Sequence, residues 1–269
     1  MNRFFTLLAL SSVLYLLPGC ATNPVTGKSE LMLIPEEQDI EIGKKYAPEI
    51  EKQMGGRIPD PAIQEYVNGV GQTIVRISHK PNLQFQFAAV QDKTINAFAL
   101  PGGFIFVTKG MLESLQTEAQ LAGILAHETV HVVARDTANA MSKEIGLDIL
   151  LSAVTSDNTS GGVSTVADVS KQILGLRYSR KDEQEADLGG LDYLVAAGYY
   201  PYAMVETMQI LAAQNDQRPI EFLSTHPNPE SRITYLQQRI QTRNYIPTGA
   251  KIGKDEYRSA VLARLNKPN

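Results

Sequence analysis

The chain has 269 residues, enough for one substantial domain with a hydrophobic core. It carries 25 basic and 29 acidic side chains, for a formal net charge of −4, and shows no basic cluster, so we expect no nucleic-acid partner. Its single cysteine, Cys20, excludes an intramolecular disulfide and a zinc–thiolate cluster.

The N-terminal residues have the pattern of a removed signal. Arg3 precedes an apolar run, Phe4 to Leu17, that is too short to cross a bilayer comfortably. Residues 17–20 read LPGC, which resembles the bacterial lipoprotein signal. We predict a lipoprotein signal peptide over residues 1–19 and a lipid anchor on Cys20, with an ordinary secretory signal as the alternative. In the Gram-negative sorting that this resembles, Ala21 rather than aspartate after the cysteine favours the outer membrane.

The segment that follows the cysteine is polar and rich in turn-forming residues, and we predict a linker over residues 20–34. The main domain is expected over residues 35–269. Its first helix covers Glu36 to Met54 and stops at the glycine pair 55–56, and a second helix opens at Pro61. No later stretch is apolar enough to span a membrane.

From Leu83 onward, the spacing of the hydrophobic residues changes from helical to the alternation of extended chain. Leu83, Phe85 and Phe87 alternate with glutamines, which is typical of a strand. Ile95–Leu100 and Phe104–Thr108 are two more extended segments, joined by the PGG turn at 101–103. The pattern predicts a small, mostly antiparallel sheet.

Helix returns for the rest of the chain. Thr117, with Gln120 three residues later, predicts an N-cap, and Ser179 predicts another. Residues 155–165 read as a surface loop, with a lid over a cleft as the alternative. The further helices are predicted over Ser179–Gly198, Tyr202–Asn215 and Pro229–Thr242, the last with Asn228 as its N-cap.

The string HETVH at residues 127–131 carries the clearest chemistry. His127 and His131 are four residues apart, so they share a helix face and can bind one metal ion. Glu128 lies beside them, where a base that activates water would sit. Because the chain contains only four histidines, a chance match to this pattern is improbable.

A catalytic zinc ion usually takes three protein ligands, so a further residue is needed. Glu183 and Asp187 are one turn apart on a predicted helix. One of them could bind the metal while the other supports a histidine from behind. A solvated acidic helix face is an equally good interpretation of their spacing.

Four motifs in order resemble one family. These motifs are HETVH at 127–131, Glu183 with Asp187, NAFALPGG at 96–103, and the string THP at 225–227 with Arg232 downstream. Together they resemble the gluzincin metallopeptidases that include the CAAX prenyl endopeptidases and the bacterial heat-shock membrane proteases. The match extends from about residue 35 to 236, and the lipoprotein signal is closest to the soluble periplasmic branch.

The resemblance implies an α+β, predominantly helical, zincin-like fold with the sheet beside the metal-binding helix. It implies one Zn²⁺ per chain, bound by His127, His131 and Glu183, with Glu128 as the general base. Asp187 would support a ligand. Asp136 stands where many relatives carry a histidine, so any extra role of that position is in doubt.

Further roles also follow from the resemblance. His226 would approach the metal, either plugging the site or stabilising the transition state. The developing oxyanion would be stabilised by the zinc ion and by His226 or Tyr178. A loop histidine packed by the next proline is the alternative for His226. The segment Asn96, Ala97, Phe98 and Ala99 would form the edge strand along which an extended substrate lies.

The sequence therefore predicts a zinc-dependent endopeptidase of the bacterial cell envelope that acts on unfolded or misassembled proteins. The alternative is a non-enzymatic chaperone or assembly lipoprotein in which the zinc is structural or latched. The expected partners are protein or peptide substrates and, through Cys20, the membrane. The sequence leaves the oligomeric state open.

Overall fold

The computed structural model of the chain describes residues 20–32, 34–146, 166–215, 220–227, 229–246 and 248–266. The predicted signal peptide, the predicted loop at 155–165 and the predicted cap Asn228 lie outside these residues. None of the helices within the described ranges combines the length and the apolar character needed to cross a membrane.

Twelve α-helices are numbered here within the described ranges. They are α1 (Glu36–Gln53), α2 (Pro61–Val75), α3 (Lys109–Ser114), α4 (Glu118–Ala134), α5 (Asp136–Met141), α6 (Val166–Leu174), α7 (Arg180–Ala196), α8 (Ala203–Asn215), α9 (Glu221–Thr225), α10 (Pro229–Thr242), α11 (Lys254–Tyr257) and α12 (Ala263–Leu265). Two π-helical turns, Ser142–Gly146 and Arg258–Leu262, follow α5 and α11. The strands are β1 (Cys20–Thr22), β2 (Ser29–Leu31), β3 (Gln86–Val90), β4 (Ala97–Leu100) and β5 (Phe104–Thr108).

Local sequence signals set several helix boundaries. Helix α1 ends before Gly55 and Gly56, whose φ angles of 81° and 79° are readily adopted by glycine. Asp60 caps α2 by accepting a hydrogen bond from the backbone N–H of Ala62 at 2.9 Å. The predicted cap Thr117 accepts from the N–H of Gln120 at 3.2 Å at the start of α4. These boundaries agree with the sequence predictions.

The main sheet has the strand order β3-β5-β4. Strands β4 and β5 form the expected antiparallel hairpin, but β3 pairs with β5 in parallel. The sheet is therefore mixed, and the prediction of a mostly antiparallel sheet was wrong in this detail. The chain leaves β3, passes to the far edge to form β4, and returns through the turn at 101–103 to fill the central position. Of the two pairs of neighbouring strands, only β4 and β5 are antiparallel.

The sheet separates two hydrophobic clusters. Alternate residues such as Phe87 and Val107 belong to the larger cluster, which includes residues of α2, α4 and α8. Their neighbours Ala88 and Phe106 belong to a smaller cluster with residues of α1 and α6. Because both faces are covered, the sheet forms a rigid layer beside α4.

The segment predicted as a linker contains a hairpin, in which β1 pairs antiparallel with β2. Glu30 accepts a 2.7 Å hydrogen bond from Lys181 at the start of α7. Val25 lies so close to Gly189 that a Cβ on that glycine would stand 2.9 Å from its methyl group. The hairpin thus lies against the helix that carries Glu183.

Helices α4 and α7 pack closely along each other. Every residue of α4 is buried, which is typical of a central core helix. A Cβ on Gly190 of α7 would lie 3.0 Å from the backbone nitrogen of His127 and 3.2 Å from the carbonyl carbon of Ala126. This close approach brings Glu183 and Asp187 to the two histidines.

We predict that Gly190→Val lowers the free energy of unfolding by about 2 kcal/mol, because the added methyl groups meet the backbone of α4 rather than a movable side chain. Gly69→Ala is the matched control, since Gly69 is an exposed residue of α2 with no atom near its missing Cβ. That change should stabilise by about 0.5–1 kcal/mol. Chemical denaturation measures both. A Gly190→Val protein as stable as the parent would contradict the described packing.

Candidate metal centre

His127 and His131 converge because α4 places them one turn apart on the side facing α7. Their exposed fractions are 1% and 0%. The two Nε2 atoms are 3.1 Å apart. The string therefore has the helical geometry that its spacing predicts.

A carboxylate stands behind each imidazole. Nδ1 of His127 lies 2.9 Å from Oδ1 of Asp187, and Nδ1 of His131 lies 2.9 Å from Oδ2 of Asp136. When these Nδ1–H groups donate, each neutral ring carries its lone pair on Nε2. Both lone pairs then point toward the same small space.

Glu183 reaches the same space from the first turn of α7. That helix begins at Ser179, whose side chain and that of Asp182 form a reciprocal capping box. Oε1 of Glu183 lies 3.5 Å from Nε2 of His131, and Oε2 lies 3.8 Å from Nε2 of His127. The cap therefore fixes where α7 begins and, with it, the position of the carboxylate.

His226 completes the group from the end of the short helix α9. Its Nδ1 lies 2.7 Å from Oε1 of Glu183 and 3.2 Å from Nε2 of His127. Its ring stacks on Phe222 with 4.4 Å between centroids, and Arg232 donates to its carbonyl oxygen at 3.2 Å. The imidazole is completely buried.

The arrangement fits a divalent metal ion. One ligand atom from each of His127, His131, Glu183 and His226 lies within 4.8 Å of the others. A tetrahedral ion with ligands at about 2.0–2.1 Å needs separations of about 3.3 Å between them, which these distances approach. Two facing lone pairs 3.1 Å apart also repel unless a cation lies between them.

The surroundings shift the pKa values of the ligand groups in different directions. Burial lowers the pKa of His127. Burial also opposes a charged His131, but hydrogen bonds to Asp136 and Glu183 raise its pKa to about 10. Burial alone would raise the pKa of Glu183, yet His226 and Arg232 lower it well below its usual range. Glu183 is therefore ionised, which is the form that binds a metal cation.

Glu128 is a carboxylate that lies beside the cluster. It is completely buried, and neither carboxylate oxygen has a hydrogen-bond partner among the described residues. Its Oε1 lies 3.7 Å from Nε2 of His226. A buried carboxylate without a hydrogen bond is unfavourable, so its retention indicates a role in chemistry.

Arg232 stabilises the negative side of the site. Its fully buried guanidinium donates to both oxygens of Asp187, at 2.7 and 2.8 Å, and lies 2.9 Å from Oε2 of Glu183. Burial by itself would raise the pKa of Asp187, but Arg232 and the hydrogen bond from His127 lower it. Tyr235 also donates to Asp187. Asp187 is therefore an ionised acceptor for His127.

The predicted substrate segment lies at the edge of the sheet, where β4 pairs only with β5 among the described strands. Phe98 and Ala99 line a cavity of only about 10 Å³ with Ile173 and Leu174, at the C-terminal end of α6. His226 lines the same cavity. Two residues of this edge strand therefore line one small cavity together with His226 and the end of α6.

Tyr178 lies against the cluster, and the fourth histidine of the chain, His79, lies apart from it. The Tyr178 ring stacks on His131 with 3.9 Å between centroids, and its hydroxyl lies 2.9 Å from Thr137 Oγ1. His79 stands away from the cluster, with Nδ1 2.6 Å from the hydroxyl of Tyr193. Three of the chain's four histidines therefore converge on one point.

Sequence reasoning missed two contacts. It treated Asp136 only as a departure from a pattern, and it named Arg232 without a role. Asp136 is five residues from His131, a spacing that does not suggest contact on a helix. For Arg232, the sequence showed only that it follows His226 by six residues. That spacing does not predict that its side chain is buried.

Four convergent ligands on neighbouring helices, with a buried glutamate beside them, define a metallopeptidase of the zincin type. The chain matches the sequence profile of Peptidase family M48 over residues 61–240, and it belongs to that family. The histidine and glutamate set of this metalloendopeptidase family is intact here.

Named relatives support the assignment. The chain is 31% identical over 251 residues to the beta-barrel assembly-enhancing protease of Yersinia pestis, covering 87% of this chain and 50% of that protein. It is 29% identical over 258 residues to the Escherichia coli K12 protein of the same name, with coverages of 88% and 52%. It is also 35% identical over 177 residues to the mitochondrial metalloendopeptidase OMA1 of Schizosaccharomyces pombe, with coverages of 64% and 52%. The chain thus spans about half the length of these relatives.

Proposed function

We propose that this protein is a zinc-dependent endopeptidase of the bacterial cell envelope that cleaves unfolded or misassembled proteins. The observation that carries the proposal is Glu128, which is buried beside the ligand cluster and makes no hydrogen bond to a described residue. A purely structural metal site needs no such carboxylate. Imidazole and carboxylate ligands in a tetrahedral arrangement favour zinc as the ion.

The roles of the residues follow from their positions. His127, His131 and Glu183 would hold the zinc ion, with Asp187 and Asp136 orienting the two imidazoles. A bound zinc ion lowers the pKa of water toward neutrality and polarises a carbonyl group. Glu128 accepts the proton of the attacking water and passes it to the leaving amine.

His226 is proposed to close the site at rest. Its Nδ1 belongs to the ligand group, at the place a catalytic site must leave open for water. Its carbonyl is bound by Arg232, so the ring is positioned by the same arginine that supports Asp187 and Glu183. Catalysis then requires His226 to withdraw from the cluster.

Substrate is proposed to add as an extended strand along Asn96, Ala97, Phe98 and Ala99. The free edge of β4 offers backbone groups for this pairing, and pockets beside it would select side chains. Because the cavity between Phe98, Ala99 and the end of α6 is small, we propose that α6 moves aside when a peptide binds.

A second candidate function rests on the same closure. With His226 in the ligand group and the end of α6 beside the strand edge, the protein could act as a non-enzymatic assembly factor whose zinc is latched. The names of the Yersinia and Escherichia relatives refer to both β-barrel assembly and proteolysis. Glu128 distinguishes the two functions, because only the peptidase requires it.

We predict that Glu128→Gln abolishes cleavage of unfolded casein by the zinc-loaded protein, lowering kcat by about 10²–10⁴-fold while zinc remains bound. Glu185→Gln is the matched control. This side chain is 13% exposed and pairs with Lys181 at 3.5 Å; it is neither a ligand nor a base, so its substitution should change cleavage far less than Glu128→Gln does. The assay follows casein fragments and zinc content together. Cleavage that survives Glu128→Gln would exclude the proposed base.

The location is proposed to be the periplasmic side of the outer membrane, through acyl chains on Cys20. This rests on the LPGC string and on Ala21 after the cysteine. The names of the relatives that refer to β-barrel assembly are consistent with it. The hairpin that starts at Cys20 would keep the catalytic domain near the membrane surface.

We predict that Cys20→Ser releases the protein into the soluble periplasmic fraction and removes labelling by a palmitate analogue. Ala21→Asp should retain the label but shift the protein to the inner membrane. Membrane fractionation with anchored marker proteins measures both changes. If the Cys20→Ser protein still fractionates with the outer membrane, the lipid anchor is not what holds it there.

A further inference from the structure

The contact between Asp136 and His131 depends on a break in the helix. Along a continuous α-helix, residues five apart are rotated by about 140° relative to one another, so they do not face each other. Here α4 ends at Ala134 and α5 begins at Asp136, separated by Arg135 alone. This break lets the carboxylate of Asp136 turn back to Nδ1 of His131.

Arg135 makes the break by adopting a left-handed conformation, with φ 64° and ψ 27°. This conformation is disfavoured for any residue with a Cβ atom, and glycine is the usual residue at such a helix end. An arginine in this conformation must be held by contacts of its side chain. Those contacts lie away from the metal ligands.

The guanidinium of Arg135 is fixed by three short hydrogen bonds. Its Nε and Nη2 donate to the two carboxylate oxygens of Asp39, at 2.6 and 2.8 Å. Nη2 also donates to the carbonyl oxygen of Ile34 at 2.6 Å. The Arg135 and Asp39 side chains are only 6% and 9% exposed, and the two-point contact defines the angle of the guanidinium.

Stability alone is a poor explanation for this pair. Desolvation offsets much of the attraction within a buried ion pair, so hydrophobic residues of similar volume often stabilise a protein at least as much as the pair does. Such a pair does fix the geometry of its side chains. Here it fixes Arg135, the residue next to Asp136, whose carboxylate orients the ligand His131.

We infer that Asp39 is a positioning residue for the metal centre, which acts through Arg135 to aim Asp136 at His131. The inference extends the proposed metallopeptidase function and rests on it. Asp39 lies in the first turn of α1, far along the chain from the HETVH string. Through the contact between Asp39 and Arg135, the first helix of the main domain is linked to the end of the metal-binding helix.

The test measures zinc affinity by competition with a chromophoric chelator. Asp39→Asn should weaken zinc binding by about 10–100-fold, the usual effect of losing support behind a ligand. It should also change the visible absorption of the cobalt-substituted protein, because His131 is less well oriented. In peptidase assays, kcat should fall while KM changes little.

Asp60→Asn is the matched control, since it removes a carboxylate that pairs with Arg264 at 3.0 Å far from the metal. It should leave zinc affinity and the cobalt spectrum unchanged. Because these two readouts require no peptidase activity, the inference can fail while the proposed function stands. Conversely, if the parent protein binds zinc but cleaves nothing while Asp39→Asn weakens zinc binding, the proposed function fails and the inference about Asp39 stands.

A double-mutant cycle tests the route of the effect. If Asp39 acts through Asp136, Asp39→Asn should weaken zinc binding little further in an Asp136→Asn background. If the fold-losses in zinc affinity from Asp39→Asn and Asp136→Asn multiply in full in the double variant, the inference is overturned. It is also overturned if Asp39→Asn alone binds zinc as tightly as Asp60→Asn. Should Asp39→Asn fail to fold, Arg135→Lys keeps the charge without the two-point contact. Unchanged zinc affinity in that variant would also overturn it.

Discussion

Two buried imidazole nitrogens that face each other 3.1 Å apart are the constraint on which the rest of the structure depends. With their outward nitrogens held by carboxylates, His127 and His131 direct their lone pairs into one space. Such an arrangement is stable only around a cation. The surrounding carboxylates supply negative charge, and Arg232 pairs with two of them, Glu183 and Asp187.

The fold serves this constraint through close packing between α4 and α7. A glycine at the contact lets the helices approach until Glu183 reaches the space between the histidines. Charges buried this deeply are tolerated because each has a partner, as Asp187 has in Arg232. Glu128 is the exception, with no hydrogen bond to a described residue, and a group of that kind is suited to bind and deprotonate water.

Local signals in the sequence predicted the local parts of the structure. The spacing of His127 and His131 and the caps at Thr117 and Ser179 depend on neighbours within one helical turn, and the structure has them as expected. The parallel pairing of β3 with β5 depends on where the chain returns after β4, which no local pattern records. The role of Asp136 was equally hidden, because it requires the left-handed turn at Arg135.

The most direct test of the account is a crystal structure of the metal-loaded protein, with anomalous data collected across the zinc absorption edge. We expect one zinc ion per chain at about 2.0–2.2 Å from Nε2 of His127, Nε2 of His131 and a Glu183 carboxylate oxygen. In the resting protein, Nδ1 of His226 should be the fourth ligand. Zinc bound elsewhere, or bound without Glu183, would contradict the account.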